Sequence, residues 1–315
     1  MPSNFARTGV LLVVLTGIFV AMGALVGGNE GMVVAFVIAL GTNAFAYWNS
    51  DTVVLKMFKA QEVSPADAPQ LHRLVQALSV RAELPMPRVY VVNSPQPNAF
   101  ATGRNPSRSA VAVSTGLLDT LSTQELAGVI AHELGHIRNR DTLTMTVAAT
   151  IAGAISMFAN LLQFSYLFGT RRNGGRFGWL GVLAAVLVAP FAAMLVQMAI
   201  SRSREYEADR IGAAVCGDPL WLASALERIH AIASTTPYPE AEMAPAAAHL
   251  FIVNPLTGRG LDNLFTTHPN IENRIAELHK LAREWQLAGA DAPRPLAIAE
   301  NSPTSIRGQG AGPWG

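Results

Sequence analysis

Apolar residues are concentrated in four long stretches of the chain, separated by polar segments. The stretches cover residues 9–26, 32–48, 143–168 and 179–200. Each is close to the roughly 20 residues that a membrane-spanning helix requires. The first two are separated only by the Gly-rich segment 27–31, which is typical of a tight turn. This pattern predicts a hairpin of two helices that crosses a membrane twice.

A cleaved signal peptide is the alternative for the first stretch, because Arg7 precedes it. No clean small-x-small cleavage site follows, however, and the second apolar stretch begins almost at once. We therefore predict that residues 1–50 form a retained transmembrane hairpin.

The third and fourth stretches predict a second hydrophobic hairpin over residues 143–200. They contain Asn160, Gln163 and Pro190, so a long buried hairpin in a large soluble core is the alternative. Two consecutive runs of this length, joined only by the polar loop 169–178, favour a membrane or membrane-embedded hairpin. The two polar side chains are expected to hydrogen-bond to a neighbouring helix rather than to mark a transport path.

Two hairpins return the chain to the same side of the membrane each time. The basic residues that flank the stretches number seven on this shared side and three on the other, which favours a cytoplasmic location for the shared side. The seven are Arg7, Lys56, Lys59, Arg138, Arg140, Arg202 and Arg204; the three are Arg171, Arg172 and Arg176. These three arginines weaken the prediction that the second hairpin spans fully.

Outside these stretches, the pattern predicts mixed α and β structure. Ser64 is followed by a proline and an acidic residue, which is typical of a helix start, and we expect this helix to end near Glu83. β-Branched residues cluster at 88–92 and at 110–114, which predicts two strands. From Asp291 onward, Pro, Gly, Ala and Ser without periodicity predict a disordered tail.

Composition excludes several classes of function. Apolar residues make up 50% of the chain and charged residues 14%, with a net charge of +1 and a mean hydropathy of +0.28. The chain is too apolar for an ordinary soluble enzyme, and it lacks the basic excess of a nucleic-acid-binding protein. The single cysteine, Cys216, excludes an intrachain disulfide and a cysteine-based zinc cluster. Any metal site must therefore use histidines and carboxylates.

A metal-binding motif lies on a predicted amphipathic helix. Ser122 and Glu125 form a capping box ahead of the sequence HELGH, which contains His132, Glu133 and His136. Histidines four residues apart lie on one helix face, so both imidazoles can bind one zinc ion. The carboxylate of Glu133 then lies beside the metal, where it can accept a proton from zinc-activated water. A chance match in a helix-rich chain is the alternative.

A catalytic zinc site needs a third protein ligand, and Glu205 is the best candidate in the sequence. Asp209 lies one turn further on the same helix face, where its carboxylate can hold a ligand histidine through the second ring nitrogen. Taken alone, this charged segment would be interpreted as a solvent-exposed helix surface. Its position changes that interpretation, because His136 and Glu205 lie close to the two ends of the second hydrophobic hairpin.

The order of these features resembles that of the HtpX membrane zinc metalloproteases, bacterial relatives of the eukaryotic CAAX prenyl endopeptidase. After two apolar segments come PNAFATG at 97–103, HELGH at 132–136, a hydrophobic hairpin, SRSREYEAD at 201–209 and THPNI at 267–271. The resemblance covers the chain from about residue 5 to residue 285, and several motifs in the same order are more specific than HELGH alone.

The resemblance implies a mainly α-helical membrane protein with a small β-sheet, in which a gluzincin-like metalloprotease domain carries two hydrophobic helical hairpins. It implies one zinc ion per chain, bound by His132, His136 and Glu205, with Glu133 as catalytic base and Asp209 in the second carboxylate position. It further implies a multi-pass protease of the bacterial cytoplasmic (inner) membrane, with its active site facing the cytoplasm. Such a protease degrades damaged or misassembled membrane proteins under stress, so its partners are the lipid bilayer and membrane-protein substrates, and not nucleic acid.

The predicted organisation divides the chain into five consecutive parts. They are an N-terminal transmembrane hairpin (1–50), the first part of the protease domain with the HELGH helix (51–142), the second hydrophobic hairpin (143–200), the second part of the protease domain (201–287) and a disordered tail (288–315).

Two further sites are predicted near the metal. Asn98, Ala99 and Phe100 begin an expected edge strand close to the HELGH helix, where an unfolded substrate could add as an extra strand. An ordinary exposed strand is the alternative. His268 could stabilise the substrate oxyanion opposite the zinc ion, or it could cap the helix that follows.

Two other classes of function are alternatives, and the sequence offers less support for each. A membrane chaperone or scaffold with a structural zinc site would need a fourth protein ligand, and none is evident in the sequence. A transporter is disfavoured because the four predicted spans lack paired intramembrane charges and inverted repeats.

Overall fold

The structure, a computed structural model, describes residues 4–147, 202–233, 252, 270–289 and 292–298. Most of the predicted second hydrophobic hairpin lies outside this part of the chain, as does His268. The helices are α1 (Asn4–Met57), α2 (Pro69–Arg81), α3 (Thr115–Thr120), α4 (Thr123–Arg138), α5 (Arg202–Cys216), α6 (Pro219–Ala233) and α7 (Ile271–Ala288). The strands are β1 (Gln61–Glu62), β2 (Arg88–Val92), β3 (Ala99–Gly103) and β4 (Ser109–Ser114), and a short 3-10 helix covers Pro106–Arg108.

The four strands form one mixed sheet in the order β1-β2-β4-β3. β2 and β4 are parallel, whereas β1 and β3 run antiparallel to their neighbours. Because β3 is last in this order, it lies at an edge of the described sheet. Side chains alternate between two faces: Ala99 and Ala101 pack in the core that contains α4, and Phe100 packs near the end of α1. The predicted mainly α fold with a small sheet is confirmed, and both predicted strands are present.

Helix α1 contains a reversal of the chain at Gly28, whose φ of 59° lies in the left-handed region that glycine tolerates best. The Asn43 side chain donates hydrogen bonds to the Leu12 carbonyl (3.2 Å) and to the Thr16 hydroxyl (2.9 Å). In a straight helix, Asn43 and Leu12 would lie more than about 45 Å apart, at about 1.5 Å per residue. The two arms of α1 therefore lie side by side, which is the geometry of a helical hairpin.

One stretch of α1, Gly28–Asn49, has the length and the mean hydropathy (1.6) of a membrane span, and 11% of it is buried. Its large apolar side chains are mostly exposed to the surroundings of the protein. The exposed ones are Val33, Val34, Phe36, Val37, Ile38, Leu40, Phe45 and Trp48.

The first helix after the hairpin begins later than predicted. Residues 64–68 form a turn, in which the Asp67 carboxylate accepts hydrogen bonds from the Ser64 hydroxyl (2.6 Å) and backbone N–H (3.0 Å). Helix α2 begins only at Pro69. Because Pro69 has no N–H, it cannot extend a helix from that turn, but it fits the first position of a new one.

The predicted disordered tail is wrong for residues 292–298. Leu296 packs against the main core, and its backbone N–H donates to the Cys216 carbonyl (2.8 Å). The Arg81 guanidinium donates to the Arg294 carbonyl (2.6 Å), which ties this segment to α2. The sequence pattern did not indicate that this segment is ordered, because a few apolar and main-chain contacts hold it in place. Such contacts leave no repeating pattern of apolar residues.

Helix α4 lies at the centre of the fold. It begins at the predicted capping box: the Ser122 hydroxyl accepts from the Glu125 N–H (3.3 Å), and the Glu125 carboxylate accepts from the Ser122 N–H (2.8 Å). All residues from Glu125 to Ile137 are buried, because α5, α6, α2 and β3 pack around this helix. Side chains on every face of α4 are therefore shielded from water.

Candidate metal site

Three predicted ligand side chains converge between α4 and α5. The Nε2 atoms of His132 and His136 are 3.2 Å apart, and the carboxylate oxygens of Glu205 lie 3.8 Å from the first and 3.6 Å from the second. In a tetrahedral site with bonds of about 2.0–2.1 Å, neighbouring ligand atoms are about 3.4 Å apart. Within the described residues, the cluster consists of these three ligands. The three residues therefore fit one metal ion.

Glycines allow α4 and α5 to approach closely enough for this convergence. A Cβ atom added at Gly212 of α5 would lie 2.8 Å from the backbone nitrogen of His132 and 2.9 Å from its Cα. A Cβ atom added at Gly135 of α4 would lie 3.1 Å from the carbonyl oxygen of Ala208 and 3.2 Å from its Cα. A larger residue at Gly212 would move α5, and with it Glu205, away from the histidines.

A carboxylate lies behind each ligand histidine. Oδ1 of Asp209 is 2.9 Å from Nδ1 of His132, and Oδ2 of Asp141 is 3.3 Å from Nδ1 of His136. Because an ionised carboxylate only accepts hydrogen bonds, this arrangement favours a proton on each Nδ1 and a lone pair on each Nε2. The structure thus places Asp209 behind a histidine, as expected from the sequence.

Asp141 was not predicted from the sequence. Two signals could have identified it: Asp141 is the first carboxylate after HELGH, and ligand histidines usually donate their second ring N–H to a carboxylate or carbonyl. It is reached through a tight turn in which Arg140 has a positive φ of 57° and the Asp141 N–H donates to the His136 carbonyl (3.0 Å). This turn brings the carboxylate back toward the ring of His136.

A buried arginine contacts each of these carboxylates. Arg274 of α7 donates two hydrogen bonds to Asp209, from Nε to Oδ2 (2.8 Å) and from Nη2 to Oδ1 (2.6 Å). Arg204 of α5 has its Nη1 atom 3.6 Å from Oδ1 of Asp141. Neither arginine role was predicted, and local patterns could not have indicated Arg274, which is 65 residues from Asp209 in the chain.

The two histidines have opposite pKa shifts. Burial lowers the pKa of His132, and the hydrogen bond to Asp209 only partly opposes this. Burial also acts to lower the pKa of His136, but the hydrogen bond to Asp141 and the charges of Glu205 and Glu133 outweigh it and raise the pKa to about 9. Metal ligation requires neutral imidazole, so a cation that binds here must displace the proton of His136.

Glu133 is buried beside the cluster, with 5% of its surface exposed. Burial raises the pKa of Glu133 to about 7, and the charge of Glu205 adds to this rise. His136, a backbone hydrogen bond from Ala101 and Arg274 act in the opposite direction. A carboxylate with a pKa near neutrality can both accept and return a proton, which is the property required of a general base.

The predicted substrate strand lies at the edge of the sheet but is not exposed. Asn98, Ala99 and Phe100 have 7%, 0% and 3% of their surfaces exposed, so the alternative of an ordinary exposed strand is wrong. The Asn98 side-chain oxygen accepts a hydrogen bond from the Ile252 N–H (3.2 Å). The strand therefore begins inside the same buried region as the metal ligands.

His268 lies outside the described residues, but the start of the helix that follows it is described. The N-cap of α7 is Asn270, whose side chain accepts from the Glu272 N–H (2.9 Å). The alternative interpretation of His268 as the helix cap is therefore wrong. The predicted catalytic role of His268 stays a prediction.

The sequence matches the protein family described as Peptidase family M48 over residues 65–282, which is more than half of the chain. The structure is also similar to a crystal structure of S. mikatae Ste24p, with a TM-score of 0.46 and 19% sequence identity. This match covers 87% of the present chain and 63% of the Ste24p chain.

Proposed function

The chain belongs to peptidase family M48, and we propose that it is a membrane-bound zinc endopeptidase. In this proposal it hydrolyses peptide bonds of misfolded or damaged membrane proteins as part of stress-linked quality control. The observation that carries the proposal is the convergence of His132, His136 and Glu205, with the buried carboxylate of Glu133 on the same helix as the histidines.

Zinc fits this set of donor atoms well. Two imidazole nitrogens and one carboxylate oxygen, with one position left open, form a known ligand set of catalytic zinc. Calcium and magnesium prefer sites built from oxygen ligands, and the two histidines offer none. We propose one zinc ion per chain, bound by His132, His136 and Glu205.

The proposed reaction is hydrolysis by an activated water molecule. When bound by His132, His136 and Glu205, zinc would act as a Lewis acid that lowers the pKa of water and polarises the peptide carbonyl. Glu133 accepts a proton from the attacking water and returns it to the leaving amine nitrogen as the C–N bond breaks. Asp209 and Asp141 keep the imidazoles oriented through their Nδ1 atoms.

The substrate is proposed to bind as an additional strand along β3, through main-chain hydrogen bonds that tolerate many sequences. Two observations support this: β3 is the last strand in the order of the described sheet, and it packs against α4, the helix that contains Glu133. His268 is proposed to donate a hydrogen bond to the substrate carbonyl oxygen as negative charge develops there. Its sequence position, two residues before the Asn270 cap of α7, supports a location near this site, because α7 contacts Asp209.

The protein is proposed to be a multi-pass protein of the bacterial cytoplasmic membrane, with its active site facing the cytoplasm. The exposed apolar surface of Gly28–Asn49 supports this, because a helix of this length in a soluble core would be mostly buried. The adjacent rings of Tyr47 and Trp48 lie near the end of this stretch, as is typical at a membrane interface. Residues 143–200 are proposed as the second hairpin, between two parts of one protease domain.

The catalytic proposal is tested with protein purified in detergent, stripped with a chelator and reloaded with zinc. Casein cleavage and self-cleavage are compared for the parent, Glu133→Gln and Glu207→Gln, an exposed control on α5. We expect Glu133→Gln to lose about 10²–10⁴-fold in kcat, because that is the usual contribution of a positioned base. Cleavage by Glu133→Gln at the parental rate would contradict the mechanism, whereas a lack of cleavage by the zinc-loaded parent would favour a chaperone with structural zinc.

The third ligand is tested separately with Glu205→Gln, again matched by Glu207→Gln. We expect zinc content measured by mass spectrometry to fall for Glu205→Gln only, because a neutral amide is a poor zinc ligand compared with a carboxylate. Full zinc content together with full activity in Glu205→Gln would remove this residue from the site.

The membrane topology is tested by labelling single cysteines in cells with a membrane-impermeant maleimide. In a Cys216→Ser background, Asn29→Cys reports on the turn of α1 and Ser64→Cys on the protease domain, and both positions are exposed. We expect labelling from outside at position 29 only. Equal labelling of both positions in intact cells would contradict the proposed hairpin.

A further inference from the structure

Arg274 is the largest fully buried side chain among the described residues, with 1% of its surface exposed. It lies on α7, whose neighbouring positions at Asn273 and Glu277 are exposed. Taking a guanidinium out of water costs several kcal/mol unless charged partners compensate it. A buried arginine at this position therefore needs an explanation in the contacts that it forms.

The charged contacts of Arg274 are with residues at the candidate metal site. Nε and Nη2 of Arg274 donate hydrogen bonds to the two carboxylate oxygens of Asp209. Nη1 lies 3.5 Å from Oε2 of Glu205. Nη2 also lies 3.5 Å from Nδ1 of His132. The Arg274 side chain thus contacts two candidate ligands, His132 and Glu205, and also the Asp209 carboxylate that accepts from His132.

A fourth contact connects Arg274 with the strand proposed to bind substrate. Nη1 donates to the Ile252 carbonyl (3.2 Å), and the Ile252 N–H donates to the Asn98 side chain (3.2 Å). Ile252 and Asn98 are both buried, at 3% and 7% exposure. The main chain at Ile252 therefore bridges Arg274 and the beginning of β3.

We propose that Arg274 is a positioning residue that holds two zinc ligands, His132 through Asp209 and Glu205 directly, in the geometry required for metal binding. This inference rests on the proposed function and extends it to a residue outside HELGH and the segment that contains Glu205. In this proposal Arg274 binds neither substrate nor metal. It acts by fixing the carboxylates of Asp209 and Glu205, and through Ile252 it also fixes the start of β3.

The shape of the guanidinium is essential to this role. A planar fork of N–H groups can serve both oxygens of Asp209 while a third nitrogen points toward Glu205 and Ile252. A lysine in the same place would keep the positive charge but could not satisfy these directions together. Arg274→Lys therefore separates geometry from charge.

The test measures zinc affinity by competition with a chromophoric chelator, for the parent, Arg274→Lys, Arg274→Gln and Arg283→Lys. Arg283 is exposed on the same helix and serves as the matched control. The visible absorption of cobalt-loaded protein reports on ligand geometry, and the Tm of the metal-free protein reports on folding. We expect both Arg274 variants to lose about 10–100-fold in metal affinity, the usual cost of removing a group that orients a ligand. The cobalt spectrum should change as well, and Arg283→Lys should match the parent.

Each outcome decides the proposal. Zinc affinity and a cobalt spectrum of Arg274→Lys that match those of the parent would overturn it, because charge alone would then suffice. Loss of the folding transition in both Arg274 variants would also overturn it, since Arg274 would then serve the packing of α7 as a whole. Failure of the parent itself to bind zinc would contradict the proposed function, which distinguishes that failure from the failure of this inference.

Discussion

The surroundings of His132 and of His136 are the same in kind but differ in strength. Each imidazole has an aspartate at Nδ1 and an arginine behind that aspartate. Behind His132 the arginine forms two hydrogen bonds of 2.6 and 2.8 Å, whereas behind His136 the nearest approach of the arginine nitrogen to the aspartate is 3.6 Å. The first arrangement is therefore a tight bidentate pair, and the second is a looser ion pair.

The difference follows from where the supporting residues come from. Asp209 lies on α5, which packs against α4, α6 and α7, and Arg274 lies on α7, which packs against α5 and α6. Asp141 lies just after α4 and Arg204 near the start of α5, which are the two ends of the chain segment that contains the third and fourth apolar stretches. The supporting groups of His132 thus come from two packed helices, and those of His136 come from the residues that flank that segment.

Removing Asp209 is expected to have the largest effect. Asp209→Asn leaves the buried guanidinium of Arg274 without its main counter-charge, so the free energy of unfolding should fall by about 3–5 kcal/mol. Asp141→Asn, the matched change behind His136, should cost about 1–3 kcal/mol, because it removes a hydrogen bond and a looser ion pair. Chemical denaturation of the metal-free proteins measures both. Equal losses in the free energy of unfolding would show that the two surroundings are equivalent. That result would contradict the difference between the two arginine–aspartate distances.

Adding a methyl group at either of the two glycines between α4 and α5 tests how closely these helices pack beside His132 and beside Ala208. Gly212→Ala meets the backbone of His132 at 2.8–2.9 Å, where the helices must shift. It should cost about 1–3 kcal/mol together with a loss of zinc affinity. Gly135→Ala meets the backbone of Ala208 at 3.1–3.2 Å, where a small shift suffices, and the effect should be smaller. Denaturation and zinc competition measure the two costs. A larger loss for Gly135→Ala would contradict the conclusion that the contact at Gly212 is the tighter of the two.

The smallest effect is expected far from both histidines, at the start of α4. Ser122→Ala removes the hydroxyl that accepts from the Glu125 N–H, and should lower the free energy of unfolding by about 1 kcal/mol. Zinc affinity should be unchanged, because the ligands lie at the other end of the helix. A matching fall in zinc affinity would mean that overall stability, rather than the groups behind each histidine, controls metal binding.

Local features of the fold were predictable from the sequence, and longer-range ones were not. Each predictable feature depends on residues that are only a few positions apart in the chain. These features are the capping box, the HELGH helix and the strands near 88–92 and 110–114. The start of α2 was predicted too early, because both Ser64 and Pro69 belong to segments that can begin a helix. The packing of residues 292–298 depends on Arg81 and Cys216, which no local pattern connects with them.

The sequence by itself determined the chemistry of the site. Without a cysteine cluster, metal ligands had to be histidines and carboxylates, and the helical repeat placed His132 and His136 on one face with Glu133 beside them. Only the tertiary structure decided that Arg274 takes part, whereas the part of Asp141 depends on a local turn five residues from His136. Asp141 is directed to His136 by a tight turn, and Arg274 reaches Asp209 only because α7 packs against α5. The role of Arg274 depends on the distance between two helices that are far apart in the chain, which residue spacing along the chain does not specify.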